Sequence, residues 1–209
     1  VQSHVHDQRR VHAHAHALVY EHFALNCFEA NVFHLDEYDA VIVRSMPPGS
    51  LEQVVFRMNA LARLEATGVQ VLNPSRALEV AIDKYLALGR LRDGGFAVPD
   101  TVCCQTWEQA VEAFDQLGGD VVVKPLFGGE GRGIMRITDS TLALRAAKSL
   151  AQLDSVIYLQ RFIPHEGFDQ RLLVLGDDVF GMVRKNDNDW RTNVSLGATT
   201  EPMDVTSEL

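Results

Sequence analysis

Long apolar runs are missing from this sequence. No segment approaches the roughly 18 to 20 consecutive apolar residues of a membrane-spanning helix, and the first residues lack the apolar centre of a signal peptide. Cysteine is scarce: Cys27, Cys103 and Cys104 are odd in number and form no C-x-x-C pair, and adjacent cysteines are poor candidates for an unstrained mutual disulfide. Reduced thiols and a cytoplasmic location are expected. Positive charge is also short, and the net charge of −9 supplies no overall electrostatic reason to bind nucleic acid or an anionic membrane. Small molecules or a basic protein partner suit the chain better. Internal repeats and low-complexity tracts are absent too. What remains is 209 residues, 46% hydrophobic and 22% charged, enough for one or two domains around a buried core.

The most informative stretch runs from Val121 to Ile137, V-V-V-K-P-L-F-G-G-E-G-R-G-I-M-R-I, and reads as strand, glycine-rich turn, strand. Gly128, Gly129, Gly131 and Gly133 can take backbone angles closed to other residues and bring main-chain N–H groups close to an anion. Two familiar phosphate motifs do not fit. No G-K-[ST] follows the glycines, and a strand rather than a helix comes next. A hairpin closing over a nucleotide is the expectation. Lys124 interrupts an apolar strand, where a buried ammonium needs an anionic partner; the alternative is an edge lysine whose head reaches water. The adjoining hairpin favours phosphate. Arg132, within the turn, can reach a phosphate or simply be solvated.

The first third is the least legible. It opens with His4, His6, His12, His14, His16 and His22, of which His12, His14 and His16 would share one face if the segment were a strand, a metal-binding pattern. We read them instead as a solvated start, because no acidic or cysteine ligand shares their spacing. From Tyr38 the pattern sharpens. Ala40 to Arg44 reads as a strand, Ser50-x-x-Gln53 as the cap of a helix carrying Val54, Met58, Leu61 and Leu64, and Val69 to Leu72 as a second strand. This β-α-β order implies parallel strands. One helix is expected from Asn73-Pro74-Ser75 to Gly94-Gly95, with Leu78, Ile82, Tyr85, Leu86, Leu88 and Leu91 on its apolar face and Lys84 projecting from it. Thr106-x-x-Gln109 caps another, and Thr141 to Ala151 forms a third. Val156 to Gln160, Arg171 to Leu175 and Val179 to Arg184 read as strands, the last two antiparallel across Gly176-Asp177-Asp178.

Two polar segments could carry chemistry. Asp169 and Arg171 form D-x-R on one strand face, suited either to a ligand or to structural ion pairs with other residues. Arg184 to Asn193, R-K-N-D-N-D-W-R-T-N, gathers cations and amides suited to phosphate and carboxylate oxygens. A polar surface turn is the competing reading. Arg191 and Asn193 share a side if that loop is extended, and Gly197 permits close approach.

The order of these parts resembles the ATP-grasp superfamily, in particular its RimK-like branch of ATP-dependent L-glutamate ligases acting on ribosomal protein or small cofactor acceptors. The matching segments are D-A-V-I-V-R, L-N-P-S-R-A-L-E-V-A-I-D-K, V-V-K-P-L-F-G-G-E-G-R-G-I, L-Q-R-F-I-P, F-D-Q-R and R-T-N-V-S-L-G-A. The resemblance implies an α/β (α+β) ATP-grasp fold: an N-terminal α/β domain over residues 1–75, a subdomain with the glycine lid over 76–152, and a second, incomplete one over 153–209. Lys84 and Lys124 would meet nucleotide phosphates beneath the Gly128 to Gly133 lid. Gln160, Arg161, Phe162 and Ile163 would grip adenine, largely through backbone groups, since Arg161 replaces an acidic residue often found there. Asp169 would touch the nucleotide, and Arg191, Thr192 and Asn193 match the family's R-S-N segment, with Lys124 and Arg191 assisting catalysis. The implied reaction turns a carboxylate into an acyl phosphate that an amine attacks, with ATP, Mg²⁺ (Mn²⁺ as an alternative), L-glutamate or a similar amino acid, and a protein or small-molecule acceptor. A homo-oligomer is compatible with this. The family's metal-binding carboxylates and E-x-N motif lie beyond the R-T-N segment, and the sequence stops at Glu208-Leu209. The expectation is therefore a fragment of a longer ligase, or a nucleotide-binding module that catalyses nothing.

Overall fold

The computed structural model describes residues 17–20 by their backbone, and residues 38–43, 46 and 49–205. The six histidines from His4 to His22, and Cys27, lie outside the described residues. The chain divides into two compact units, Val1–Ala81 and Ile82–Leu209.

In the first unit, β1 (Ala17–Tyr20), β2 (Ala40–Val43) and β3 (Gln70–Leu72) form a parallel sheet in that order. Helix α1 (Leu51–Ala66) joins β2 to β3, the β-α-β unit that the apolar pattern predicts. Strand β1 is an addition in the least legible part of the sequence. Helix α1 starts on a reciprocal cap: the Ser50 hydroxyl accepts from the Gln53 N–H at 3.2 Å, and Gln53 Oε1 accepts from the Ser50 N–H at 3.0 Å. Its buried face is Val54, Met58, Leu61 and Leu64, as their spacing predicts. Val41 and Val71 bury the sheet's contribution to the same unit's core. Helix α2 (Ser75–Ile82) begins where the Ser75 N–H donates to the Glu65 carboxylate at 2.7 Å.

The single helix expected up to Gly94 is instead two. Asp83 is extended (φ −95°, ψ 106°), and its carboxylate accepts from the N–H groups of Tyr85 at 2.9 Å and Leu86 at 3.0 Å. A short acidic side chain satisfies a helix's orphan donors only from outside the helix, so α3 (Lys84–Asp93) starts afresh. Lys84 thereby becomes its first residue. Tyr85 and Leu91, assigned to an apolar face by periodicity, are exposed.

The second unit contains β4 (Thr101–Cys104), β5 (Val121–Lys124), β6 (Met135–Ile137) and β7 (Ile157–Arg161), antiparallel in the order β4-β7-β5-β6. Helices α4 (Trp107–Gln116) and α5 (Ser140–Ala151) cover one face. Ala110, Ala113, Ala143 and Ala147 pack there with Phe114, Val121, Val123, Ile137, Ile157 and Leu159. Because side chains alternate along a strand, Thr101, Cys103, Val122, Lys124, Tyr158 and Gln160 fall on the opposite face. A second antiparallel sheet has the order β10-β9-β8, from β8 (Phe168–Leu175), β9 (Asp178–Lys185) and β10 (Thr199–Met203). The β8–β9 hairpin matches expectation; β10, with Pro202 inside it, was not legible as a strand. Among the described residues no helix is long and apolar enough to cross a membrane.

Candidate functional site

Lys124 ends β5 on the sheet's polar face, and Lys84 opens α3 nearby. The Lys84 ammonium donates to the carbonyls of Gly128 at 2.8 Å and Leu126 at 3.4 Å, and its main-chain N–H donates to Leu126 at 3.3 Å. Lys124 donates to Gln160 Oε1. Burial pushes both ammoniums below their ordinary value of 10.5, and the charge of Lys124 depresses Lys84 further against a smaller opposing pull from Asp83. Every hydrogen-bond partner of the two ammoniums is a neutral oxygen. Apart from that pull of Asp83 on Lys84, the two partly desolvated like charges have no carboxylate partner among the described residues, and a polyanion would supply the missing counter-charge.

The hairpin between β5 and β6 bends at Gly128 (φ 114°), Gly131 (φ 73°) and Gly133 (φ 69°); Gly129 does not need a left-handed angle, whereas Glu130 (φ 59°) takes one. Three of the four glycines picked out in the sequence thus use a left-handed angle. Arg132 forms an exposed ion pair with Glu130 at 2.8 Å, so its charge is matched within the hairpin. The tip rests on the short 3₁₀ turn Val194–Leu196, where the Ser195 hydroxyl donates to the Glu130 carbonyl at 2.9 Å. A Cβ on Gly131 would lie 2.5 Å from Asn193 Oδ1. Asn193 is thus brought to the hairpin.

Arg184 and Arg191 are paired with carboxylates. Asp169 faces Arg184 across the β8–β9 ladder and binds its guanidinium at 2.8 and 2.6 Å; the buried Thr192 hydroxyl donates to the same carboxylate at 2.6 Å. Burial alone would raise the Asp169 pKa, but the bonds from Arg184 and Thr192 outweigh it and hold the group below 3.8. The structural ion pair is the arrangement observed, with Arg184 and not Arg171 as partner. Arg191 turns back on Asp189, its Nε 3.0 Å from Oδ2 and its Nη2 2.5 Å from the same atom. The loop is pinned by Asn186, whose buried amide donates to the carbonyls of Arg191 at 2.9 Å and Leu196 at 3.4 Å. Sequence reasoning did not single out Asn186, since nothing in R-K-N-D-N-D-W-R-T-N distinguishes a buried asparagine from a surface one.

At the end of β7, the N–H groups of Arg161 and Phe162 donate to the carbonyls of Asp100 and Asp120, each at 2.9 Å. The Arg161 guanidinium pairs with Asp100 at 3.1 Å. Two of the backbone donors expected to grip a base are therefore committed to the sheet's margins. Ile163 is exposed, and its N–H has no internal acceptor among the described residues. The Phe162 ring carries the Arg136 guanidinium 3.5 Å above its centroid and meets Trp190 edge-on at 5.8 Å. Arg136 also binds Asp120 at 2.9 and 2.7 Å. Phe162 thus joins the hairpin's return strand to the Trp190 loop; neither Arg136 nor Trp190 was foreseen. Among the described residues no group of three or more His, Cys, Asp or Glu is placed to hold a metal ion.

The chain is 34% identical over 187 residues to a tetrahydromethanopterin:alpha-L-glutamate ligase of Methanosarcina acetivorans, an alignment covering 83% of this chain and 57% of that protein. It is 31% identical over 182 residues to a glutamate–LysW ligase of Sulfurisphaera tokodaii, covering 84% and 62% respectively. The chain thus spans little more than half the length of these relatives. In fold it is similar to D-cycloserine synthetase (TM-score 0.63, 18% identity, covering 86% of this chain and 64% of that one). It is similar too to the D-alanine–D-alanine ligase of Bacillus anthracis (TM-score 0.58, 17% identity, 82% and 55%). The RimK-like ATP-grasp domain matches residues 81–209, the span holding both lysines, the hairpin and the Arg191 to Asn193 segment, and the chain belongs to the RimK-like ATP-grasp family.

Proposed function

We propose that the protein containing this chain is an ATP-dependent carboxylate–amine ligase that adds L-glutamate, or a similar amino acid, to a protein or small-molecule acceptor. The observation that carries this is the pair of under-compensated ammoniums, Lys84 and Lys124, beside the glycine hairpin, in a chain whose relatives join glutamate to an acceptor. ATP would lie on the polar face of the four-stranded sheet, its phosphates against the two lysines and under Gly128 to Gly133. Ile163, following Gln160, Arg161 and Phe162, would offer its N–H to the base. Thr192 and Asn193 would set the floor beneath the hairpin tip, and Asp169 would hold Arg184 and Thr192 in place. Residues 1–75, 76–152 and 153–209 remain our reading of the domains, and free Cys103 and Cys104 suit a cytoplasmic setting.

The chemistry proceeds in two displacements. A carboxylate oxygen of the acceptor attacks the γ-phosphorus of ATP, the bond to the β,γ-bridging oxygen breaks, and ADP leaves. The glutamate nitrogen then attacks the acyl phosphate carbon, phosphate departs with the C–O bond electrons, and the nitrogen loses a proton as the amide forms. Lys124 and Lys84 offset charge on the phosphates, and the hairpin limits water. Mg²⁺ would neutralise phosphate charge when bound, but the described residues offer it no carboxylate cluster, so none is assigned to it. For Arg191 to assist, its guanidinium must leave or share Asp189. That ion pair favours a second reading, a module that binds nucleotide without turnover. One assay separates the two: ADP release that requires both glutamate and a candidate acceptor establishes the ligase. Nucleotide binding without such release establishes the module.

A further inference from the structure

Gln160 sits on β7 opposite both Val122 of β5 and Thr101 of β4, buried to 8% exposure. Hydrogen bonds run in one direction through it. Lys124 Nζ donates to Gln160 Oε1, Gln160 Nε2 donates to Thr101 Oγ1 at 2.9 Å, and Thr101 Oγ1 donates to the Pro99 carbonyl at 2.9 Å. A threonine hydroxyl has one proton, and a carbonyl can only accept. With that proton committed to Pro99, Thr101 can only accept from Gln160, which turns the amide NH₂ toward β4 and the amide oxygen toward Lys124. The reversed amide would set its NH₂ against an ammonium and leave the Thr101 oxygen facing another acceptor. Tyr158 is compatible with this orientation, its hydroxyl accepting from Gln160 Nε2 at 3.4 Å.

We propose that Thr101 and Gln160 are positioning residues that aim the Lys124 ammonium without cancelling its charge, so that it arrives at a nucleotide phosphate oriented and cationic. This rests on the nucleotide site proposed above and deepens it. A glutamate at position 160 could accept the same bond but would neutralise the ammonium. An apolar residue would leave it unaimed. This side-chain role is separate from the largely backbone grip on adenine that the family resemblance implies for Gln160 to Ile163: the side chain acts through Lys124.

The test is calorimetric titration of the full-length protein with Mg·ADP, from neutral to alkaline pH, for wild type, Lys124→Ala, Gln160→Glu, Gln160→Met, Thr101→Val and Thr101→Ser. Both Gln160 variants are expected to lose roughly tenfold in affinity at neutral pH, while the alkaline loss of binding moves in opposite directions. Gln160→Glu moves it to higher pH, because a carboxylate retains the Lys124 proton; Gln160→Met moves it to lower pH, because the ammonium loses its acceptor. Thr101→Val follows Gln160→Met, and Thr101→Ser, which keeps the hydroxyl, binds as wild type. A packing role would weaken binding without separating the two alkaline limbs. The inference is overturned if both Gln160 variants keep the wild-type limb while Lys124→Ala weakens binding. Wild-type affinity in Lys124→Ala overturns the nucleotide site itself. Should Thr101→Val not fold, the two Gln160 variants decide alone.

Discussion

The cations of the second unit are treated in two ways. On the four-stranded sheet and α3, Lys124 and Lys84 meet only neutral oxygens, and burial lowers their pKa. On the three-stranded sheet and its following loop, Arg184 and Arg191 are bound by Asp169 and Asp189, whose carboxylates raise the guanidinium pKa values. The first arrangement leaves desolvated charge under-compensated, which a bound anion would offset. The second is already satisfied and serves to hold the backbone in shape. A positively charged residue near a site is therefore not equivalent to one available to it: what decides is whether the protein has supplied the counter-charge.

Four experiments break or sharpen that contrast. The largest effect is expected for Lys124→Met, which should lower ADP affinity by roughly 10- to 100-fold by loss of charged hydrogen bonds. It should also stabilise the free fold by about 1 kcal/mol in urea unfolding, because a desolvated ammonium is gone. Asp169→Ala should do the reverse. It leaves Arg184 and Thr192 without their acceptor and should destabilise the protein by about 2 kcal/mol, a charged hydrogen-bond value reduced for the partial exposure of the pair. Equal stability losses in the two variants would dissolve the distinction. Third, Gly131→Ala combines a left-handed angle with a contact at 2.5 Å and should weaken the hairpin's hold on its turn by about 1 kcal/mol, read as faster proteolytic cleavage near Glu130. Gly129→Ala, with nothing within 4 Å of an added Cβ, should cleave as wild type. The smallest effect concerns pH. Lysines whose folded pKa is lowered bind fewer protons folded than unfolded, so stability should rise with pH between that lowered value and 10.5. The depressed Asp169 gives a separate rise, lost as pH falls below 3.8 through its folded value. Saturating ADP should flatten the lysine window and leave the aspartate one unchanged.

Much of this was legible in the sequence because local chemistry and packing agree there. Ser50 and Gln53 cap α1, Val54 to Leu64 bury their predicted face, and V-V-V-K followed by glycines folds as strand and hairpin. Lys124 stood out as a candidate because an interrupted apolar strand needs a reason, whereas Lys84, on a helix, was picked out only by the family resemblance. Legibility failed where a short side chain overrode a periodic pattern, as Asp83 does by ending α2, and where Tyr85 and Leu91 follow helical spacing without burial. It failed again for partners distant in sequence. The Arg184–Asp169 pair depends on strand register, the Arg136–Phe162 stack joins residues 26 positions apart by subtraction of their numbers, and Asn186 is distinguished only by being buried.

The contact between the Ser195 hydroxyl and the Glu130 carbonyl has a consequence for time rather than for affinity. A neutral hydrogen bond is worth about 1 kcal/mol net, roughly a fivefold bias, so this catch favours the seated hairpin without locking it. If a nucleotide lies beneath the hairpin, the lysines at its base would hold the charge and the catch at its tip would govern how often the way out is clear. At the proposed nucleotide site, binding strength and residence would thus be set by different residues, and a change at Ser195 would alter how long a nucleotide stays while its phosphate contacts remain as they were.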